Sequence, residues 1–288
     1  MQYYTLECIM AIHQRRVADY YDRNTRRFLR LGRGGAQLAI HRSIWAPGVR
    51  NRIQAALYIN RRIEEHAAAV NAQQLLDLGC GVGGTMIDLA ASRPARYAGL
   101  TISRVQKQLG DELVLKRGLQ EQIRIFEGDF TDPKVFRLFP SQNLIYAVES
   151  IIHIPPETNI APLIAESLVP GGLFILCDDM LSDPEEGMAE KDLALLQDFR
   201  EQWYAPGIRS SRSWIESFEA AGLEAEKADD FTPWLKLFGL RDLAATALVP
   251  LLRGVRKPWT ENLVGGTALQ QLIRRGRIRY RFLVFRKP

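Results

Sequence analysis

An apolar stretch, Leu75-Leu76-Asp77-Leu78, runs directly into Gly79-Cys80-Gly81-Val82-Gly83-Gly84-Thr85. Glycines this close let the backbone turn sharply and let a ligand approach where a Cβ would intrude. In an open α/β sheet such a turn lies outside the carboxyl end of a strand, where ligands bind. Two further carboxylates end apolar runs, Glu149 after Ala147-Val148 and Asp129 in Gly128-Asp129-Phe130. A carboxylate facing a crevice at a strand's end is expensive to bury unless it is paired or used. Glu149 reads as a base or as a group that orients its loop. His153 follows it, either as a second base or as a ring satisfied against Pro155-Pro156.

Two cofactors use such a turn. A dinucleotide needs G-x-G-x-x-G and an acid about 20 residues on for the ribose hydroxyls. Here Gly79-x-Gly81 fits, but the third glycine falls at Gly83 or Gly84, and no acid lies between Asp88 and Asp111. S-adenosylmethionine is the other candidate, and a tight turn without a ligand is the bland alternative.

The elements around these residues follow from periodicity. From residue 73, short apolar runs (Leu75–Leu78, Tyr97–Ile102, Ile123–Phe126, Leu144–Val148, Leu173–Cys177) alternate with helical stretches at about 84–92, 103–118, 132–139 and 159–168. That rhythm predicts a parallel sheet with both faces covered, a doubly wound α/β domain. Ahead of it, residues from about 8 to 69 read as helix, broken at Leu31–Gly35 and at Ala46-Pro47-Gly48, with a second helix over 49–69. Beyond it, helices are expected over 183–204, 210–221, 234–253 and 259–275, with strands at 223–231 and 279–286. Val169-Pro170-Gly171-Gly172 reads as a breaker just before a buried strand. The chain thus divides into an N-terminal helical lid or oligomerisation segment (1–70), a cofactor-binding core (71–180), a helical cap over an acceptor pocket contributing one core strand (181–276), and a final core strand (277–288).

Composition sets outer limits. With 47% hydrophobic and 25% charged residues among 288, the chain is neither disordered nor collagenous. No apolar run reaches the ~18–20 residues of a membrane-spanning helix. Three scattered cysteines, Cys8, Cys80 and Cys177, and a start without a basic-then-apolar leader point to a reducing, cytoplasmic setting. The absence of CxxC and HExxH predicts no metal site. Charge is uneven: residues 1–66 hold 12 Lys/Arg against 5 Asp/Glu, 253–288 hold 10 against 1, and the middle holds 16 against 27. Solvated faces or subunit docking, an anionic small substrate, and nucleic acid are the competing readings. A homo-oligomer formed through the N-terminal helices is expected. Nucleic acid is disfavoured, because the arginines are not interleaved with an obvious stacking platform.

The core resembles the class I S-adenosylmethionine-dependent methyltransferases. Leu76-Asp77-Leu78-Gly79-Cys80-Gly81 looks like their first motif, Gly128-Asp129-Phe130 like the acidic turn near adenine, and Leu168-Val169-Pro170-Gly171-Gly172 like their Leu-x-Pro-Gly-Gly turn. Gly99-Leu100-Thr101-Ile102-Ser103-x-x-Gln106 is similar to a branch holding sterol, tocopherol, cyclopropane-fatty-acid and geranyl diphosphate methyltransferases. The resemblance implies a Rossmann-like, seven-stranded core binding S-adenosylmethionine through Asp77, Gly79, Cys80, Gly81, Gly83, Thr101, Ile102, Gln106, Asp129 and Phe130. Ser103 also reads independently as a helix N-cap. Ala18-Asp19-Tyr20-Tyr21-Asp22 is similar to the segment these enzymes fold over the cofactor, with plain helix packing as the rival reading of Tyr21. No Asn-Pro-Pro-Tyr/Phe follows the fourth strand, which further disfavours a nucleic-acid base as acceptor.

Within that family the lipid and terpenoid C-methyltransferases carry Glu-Ser/Thr where Glu149-Ser150 stands. The resemblance implies methylation of an alkene carbon of a small apolar prenyl or terpenoid acceptor through a carbocation, with rearrangement or cyclisation as a possible sequel. Glu149 is the expected base, with His153 and Tyr21 beside it. The stretch from 181 is rich in aromatics, and Trp203, Tyr204 and Trp234 are the expected acceptor contacts, since π faces stabilise cations. Mg2+ is implied only for a diphosphate acceptor. An O- or N-methyltransferase of secondary metabolism is the alternative, and an RNA-binding protein with a vestigial cofactor site the second.

Overall fold

The computed structural model describes residues 6–31, 41–185, 187–237 and 258–288. Its strands are β1 (Gln74–Leu78), β2 (Arg96–Thr101), β3 (Ile123–Glu127), β4 (Gln142–Val148), β5 (Leu168–Leu181), β6 (Glu224–Asp230) and β7 (Ile278–Arg286). They form one sheet in the order β3-β2-β1-β4-β5-β7-β6. The first five are parallel, and β7 runs antiparallel to both β5 and β6. Register sets Leu76 beside Ala98 on one side and Ile145 on the other. The carboxyl ends of β1, β2 and β4 therefore lie side by side, carrying the glycine turn, Thr101 and Glu149.

Alternation along the strands feeds two cores, since successive side chains point to opposite faces. Leu75, Tyr146, Ile175 and Phe282 join Ile59, Ile63 and Met86 on one face. Leu76, Ile145, Phe174 and Leu283 join Ile164, Trp214 and Phe218 on the other. The helices supplying those faces are α3 (Tyr58–Ala69) and α4 (Gly84–Ala90) on the first, and α7 (Ala161–Ser167) and α9 (Ser211–Ala220) on the second. The short α2 (Arg52–Ala56) precedes α3, α5 (Arg104–Lys116) follows β2, and α6 (Pro133–Phe136) follows β3. A third cluster unites α8 (Glu190–Gln202) with α10 (Pro258–Arg274), through Leu195, Phe199, Leu269 and Leu272. Asp192 ties them further, accepting from Arg275 Nε at 2.5 Å and Arg277 Nε at 2.7 Å.

Local signals account for most boundaries. Ser103 caps α5, its Oγ accepting from Gln106 N at 3.1 Å, and Ser210 caps α9 in the same way through Ser213 N. The chain departs from expectation where tertiary pairing overrides pattern. The helix expected over 49–69 is two, parted at Leu57. The helix expected from 183 begins only at Glu190, since the chain leaves the sheet through a turn. β5 is far longer than Leu173–Cys177 because β7 pairs with it from Leu173 to Leu181. The break at Pro47-Gly48 is present, with Gly48 at φ 85°. Gly32–Gly35 lie outside the described residues, as does most of the helix expected over 234–253, and Thr232–Trp234 form a 3-10 turn. Among the described residues no helix is long and apolar enough to cross a membrane.

Phe218 is fully buried, with ring centroids of Phe174 at 4.8 Å and Phe285 at 4.7 Å. Phe218→Ala is expected to destabilise the fold by about 3–5 kcal/mol through the cavity it leaves, read as a lower midpoint in urea unfolding.

Candidate active site

The turn after β1 is pinned from two directions. Gly79 N and Cys80 N both donate to Leu100 O at 2.9 Å, closing the turn onto the end of β2. Ser150 Oγ donates to Leu78 O at 2.6 Å from the end of β4. Gly79, Gly81 and Gly83 all hold positive φ, at 85°, 57° and 78°. At Gly79 a Cβ would sit 2.4 Å from the Ser150 Cβ, so no other residue fits. The strand-end register thus demands the glycine that the sequence supplies.

Above this turn opens a cleft enclosing about 1090 Å³, its mouth included. Asp77, Gly79, Cys80, Gly81, Thr101, Ile102, Gln106, Asp129 and Phe130 all line it, and so do Tyr21, Glu149 and His153. Residues separated by more than a hundred positions thereby share one cavity. Gly83 does not line it: its α-carbon faces Ile125 and Met86, and it serves the turn. Trp203, Tyr204 and Trp234 also lie off the lining. Trp203 packs on Gly265 and Phe199, and Trp234 stacks on Phe231 beside Tyr58. The Tyr204 ring leans on Tyr20, and its carbonyl serves His153. Each of these rings is partly buried against neighbouring aromatic side chains.

The donor-side polar groups carry distinct electrostatic signatures. Asp77 is buried, and burial pushes its carboxyl up to about 8. Burial also raises Asp129, held back by the Thr131 N–H at 2.8 Å and hydroxyl at 2.7 Å, both on Oδ1. Thr101 Oγ1 donates to Gln106 Oε1 at 2.7 Å. The long helix α1 (Leu6–Leu31) crosses these loops. Gln14 Nε2 donates to Thr131 Oγ1 at 3.0 Å, and Asp22 accepts from Ser103 Oγ and from Val105 N.

On the opposite wall, His153 Nδ1–H donates to Tyr204 O at 2.8 Å, which leaves Nε2 to accept the Tyr21 hydroxyl at 2.8 Å. Burial pushes this imidazole down to about 4, so it is neutral at ordinary pH. Burial, with Tyr20, Asp178 and Glu149 nearby, raises Tyr21 and keeps its phenol protonated. Both ring nitrogens of His153 are thus occupied, Nδ1 by the Tyr204 carbonyl and Nε2 by the Tyr21 hydroxyl. Glu149 sits at φ 51°, in the left-handed region. Its Oε1 accepts from Arg42 N at 2.9 Å and from the Tyr280 hydroxyl at 2.7 Å.

Several groups here carry no motif in the sequence. His41 lines the cleft and contacts Asn60 Oδ1 at 3.0 Å, while Asn60 in turn donates to Asp88. Arg42 and Tyr280 reach Glu149 from segments remote in the chain. For Tyr280 the alternating pattern of β7 gave a face but no partner.

The chain matches the methyltransferase domain family over residues 13–228. It belongs to that family. It is 26% identical over 228 residues to a probable chloroplastic tocopherol O-methyltransferase of Oryza sativa subsp. japonica, covering 75% of this chain and 61% of that one. It is 30% identical over 115 residues to a sterol 24-C-methyltransferase of Gibberella zeae, covering 39% and 29%. Against a dimethylglycine N-methyltransferase of Parasynechococcus marenigrum it is 27% identical over 161 residues, covering 56% and 55%. The chain therefore spans between about three tenths and three fifths of these relatives' lengths. Its fold is that of the [4+2]-cyclase SpnF (TM-score 0.71, 22% identity, 96% of this chain and 97% of that). It is also that of geranyl diphosphate C-methyltransferase from Streptomyces coelicolor A3(2), solved with Mg2+, a geranyl thiolodiphosphate and S-adenosylhomocysteine (TM-score 0.72, 17% identity, 96% and 98%).

The residues fit a sulfonium cofactor on the structure's own terms, because a buried carboxyl raised to about 8 at Asp77 gains from a cation beside it. In the protein alone, Asp77 holds its proton below about 8, and binding a cation ionises it and releases that proton. Affinity for S-adenosylmethionine is therefore expected to rise with pH toward about 8 and then level. Asp77→Asn should flatten the profile, and calorimetry in buffers of different ionisation enthalpy checks the proton release.

Proposed function

We propose that the chain is an S-adenosylmethionine-dependent C-methyltransferase acting on an alkene carbon of a small prenyl or terpenoid acceptor through a carbocation. The observation that carries this reading is the Glu149 carboxylate, fixed through Oε1 at the cleft wall beside Tyr21. Asp77, Gly79, Cys80 and Gly81 would hold the amino-acid end of the cofactor, Thr101, Ile102 and Gln106 the middle, and Asp129 and Phe130 the adenine. When bound, that cofactor supplies an electrophilic methyl group. Glu149 takes the proton that an alkene-derived cation must lose. Tyr21, its hydroxyl tied to His153, presents a ring and an oxygen lone pair to positive charge on the acceptor. Helix α1 roofs the cleft and excludes water from that cation.

Mg2+ belongs to this proposal only with a diphosphate acceptor. Among the described residues no group of His, Cys, Asp and Glu is arranged to hold a metal. The buried free thiols of Cys80 and Cys177 support a reducing, cytoplasmic setting. Association through the N-terminal helices is part of the proposal, and light scattering checks it. The O- and N-methylating relatives favour a second reading, in which the acceptor atom is oxygen or nitrogen.

Methyl-labelled S-adenosylmethionine incubated with a panel of prenyl diphosphates and prenylated indoles, read by mass, separates the two. Gain of a methylene without loss of an acidic O–H or N–H is expected. Transfer confined to hydroxyl or amine acceptors defeats carbon methylation. Glu149→Gln is expected to lower turnover about 10²–10⁴-fold while S-adenosylhomocysteine binding by calorimetry stays unchanged. An O- or N-methyltransferase would keep most of its turnover in the same variant.

A further inference from the structure

Arg42 does not line the cleft, yet three of its contacts converge on the group that does. Its peptide N–H donates to Glu149 Oε1 at 2.9 Å. Its guanidinium grips both oxygens of Asp179, at 2.5 Å each. Its guanidinium carbon lies 4.8 Å from the centre of the Tyr280 ring, and the Tyr280 hydroxyl is the second donor to Glu149 Oε1, at 2.7 Å. Asp179 and Tyr280 are register partners across β5 and β7, so the fork and the ring it covers belong to one rigid patch of sheet.

We propose that Arg42 is a positioning residue for Glu149. By forking onto Asp179 and lying on Tyr280, it fixes both hydrogen-bond donors to Oε1 and leaves Oε2 for the acceptor. This rests on the reading of Glu149 as the group that faces the acceptor.

Stability alone does not account for the pair. Arg42 and Asp179 have side-chain exposures of 17% and 1%. At such depth desolvation largely offsets the attraction, and apolar replacements of both partners are often tolerated. What an apolar pair cannot supply is direction. A guanidinium bound at two points has one orientation relative to the sheet, and the peptide of the same residue inherits it. A lysine, a single charge on a flexible stem, does not reproduce that. Direction matters at Glu149 because its backbone is held at φ 51°, a region a non-glycine residue occupies only when its surroundings impose it. On the backbone side the constraint is Glu149 N–H donating to Cys177 O at 2.9 Å. On the side-chain side it is the pair of donors that Arg42 organises.

Two variants separate direction from stability. Arg42→Met alone strands the buried Asp179 and is expected to unfold at lower temperature. Arg42→Met/Asp179→Leu removes both charges and is expected to unfold near the wild-type temperature and to bind S-adenosylhomocysteine with wild-type affinity by calorimetry. In crystals of the double variant the Glu149 carboxylate is expected to leave the Tyr280 hydroxyl. With the acceptor returned by the labelled panel, kcat is expected to fall about 10²-fold, as for a misplaced catalytic group, with the KM for S-adenosylmethionine unchanged. A purely structural pair predicts instead that the double variant regains wild-type kcat. That result, or an unmoved carboxylate in the crystals, overturns the proposal. A wild-type protein that transfers no methyl to any acceptor sinks the functional reading, and the crystallographic position of Glu149 then decides the role of Arg42 alone.

Discussion

Three carboxylates, Glu149, Asp178 and Asp179, crowd the carboxyl ends of β4 and β5, and that wall of the cleft is organised around the need to stabilise them. Water cannot do it, because Asp178 and Asp179 are almost fully buried. Each is answered by a different chemistry. Asp178 takes backbone donors: Ile151 N at 3.0 Å and Ile152 N at 3.4 Å on one oxygen, Asp179 N at 2.8 Å on the other. Asp179 takes the Arg42 guanidinium, and Glu149 takes a peptide and a phenol. Burial, together with Asp179 and Glu149, still drives the Asp178 carboxyl well above its ordinary range. The consequences spread outward. Asp178 fixes the turn Ile151–His153, that turn fixes His153, and His153 fixes the Tyr21 hydroxyl. A charge problem at the carboxyl ends of two central strands thus sets the position of a residue on α1.

The floor and the roof of the cleft are built from different forces. The floor is sheet and turn, held by backbone hydrogen bonds and by apolar residues buried on both faces. The roof, α1, buries Val17 and Tyr20 but is located by polar contacts: His13 on the His153 carbonyl, Gln14 on Thr131, and Asp22 on the first turn of α5. Asp22 lies where a negative charge is favoured, at a helix N-terminus, and meets both the capping hydroxyl of Ser103 and the N–H of Val105. Apolar packing has little orientational preference. Hydrogen bonds from His13, Gln14, Tyr21 and Asp22 along α1 give its docking a single register.

What could be read from the sequence follows from how local each signal is. The five parallel strands and the helices between them were legible because apolar runs of strand length alternate with helical stretches. The glycine turn was legible because positive φ at alternate positions, 79, 81 and 83, favours glycine. Ser103 announced its helix through capping chemistry that lies within three residues. The length of β5 was not legible, since it depends on β7, about a hundred residues away in the chain. Trp203, Tyr204 and Trp234 were expected at the acceptor because their type suits a cation. Residue type carries no information on whether a ring faces a cavity or a neighbouring helix, and here each of the three rings meets other aromatic rings off the lining of this cleft. Arg42 and Tyr280 were invisible for the same reason. Their role exists only once three strands and a loop have met.

This division between local and remote bears on how one core serves different acceptors. One half of the cleft is drawn from a nearly continuous stretch, Asp77 to Thr131. The opposite wall is assembled from Tyr21, His41, Glu149 and His153, with Arg42 and Tyr280 behind them. Substitutions in the first set disturb a backbone turn whose geometry leaves no room for a side chain at Gly79. Substitutions in the second set alter side chains projected from a helix, a loop and strand ends, without changing the sheet register. One wall of the cleft is tied to the strand ends and a single stretch of chain, whereas the other is made of residues that the sheet only gathers.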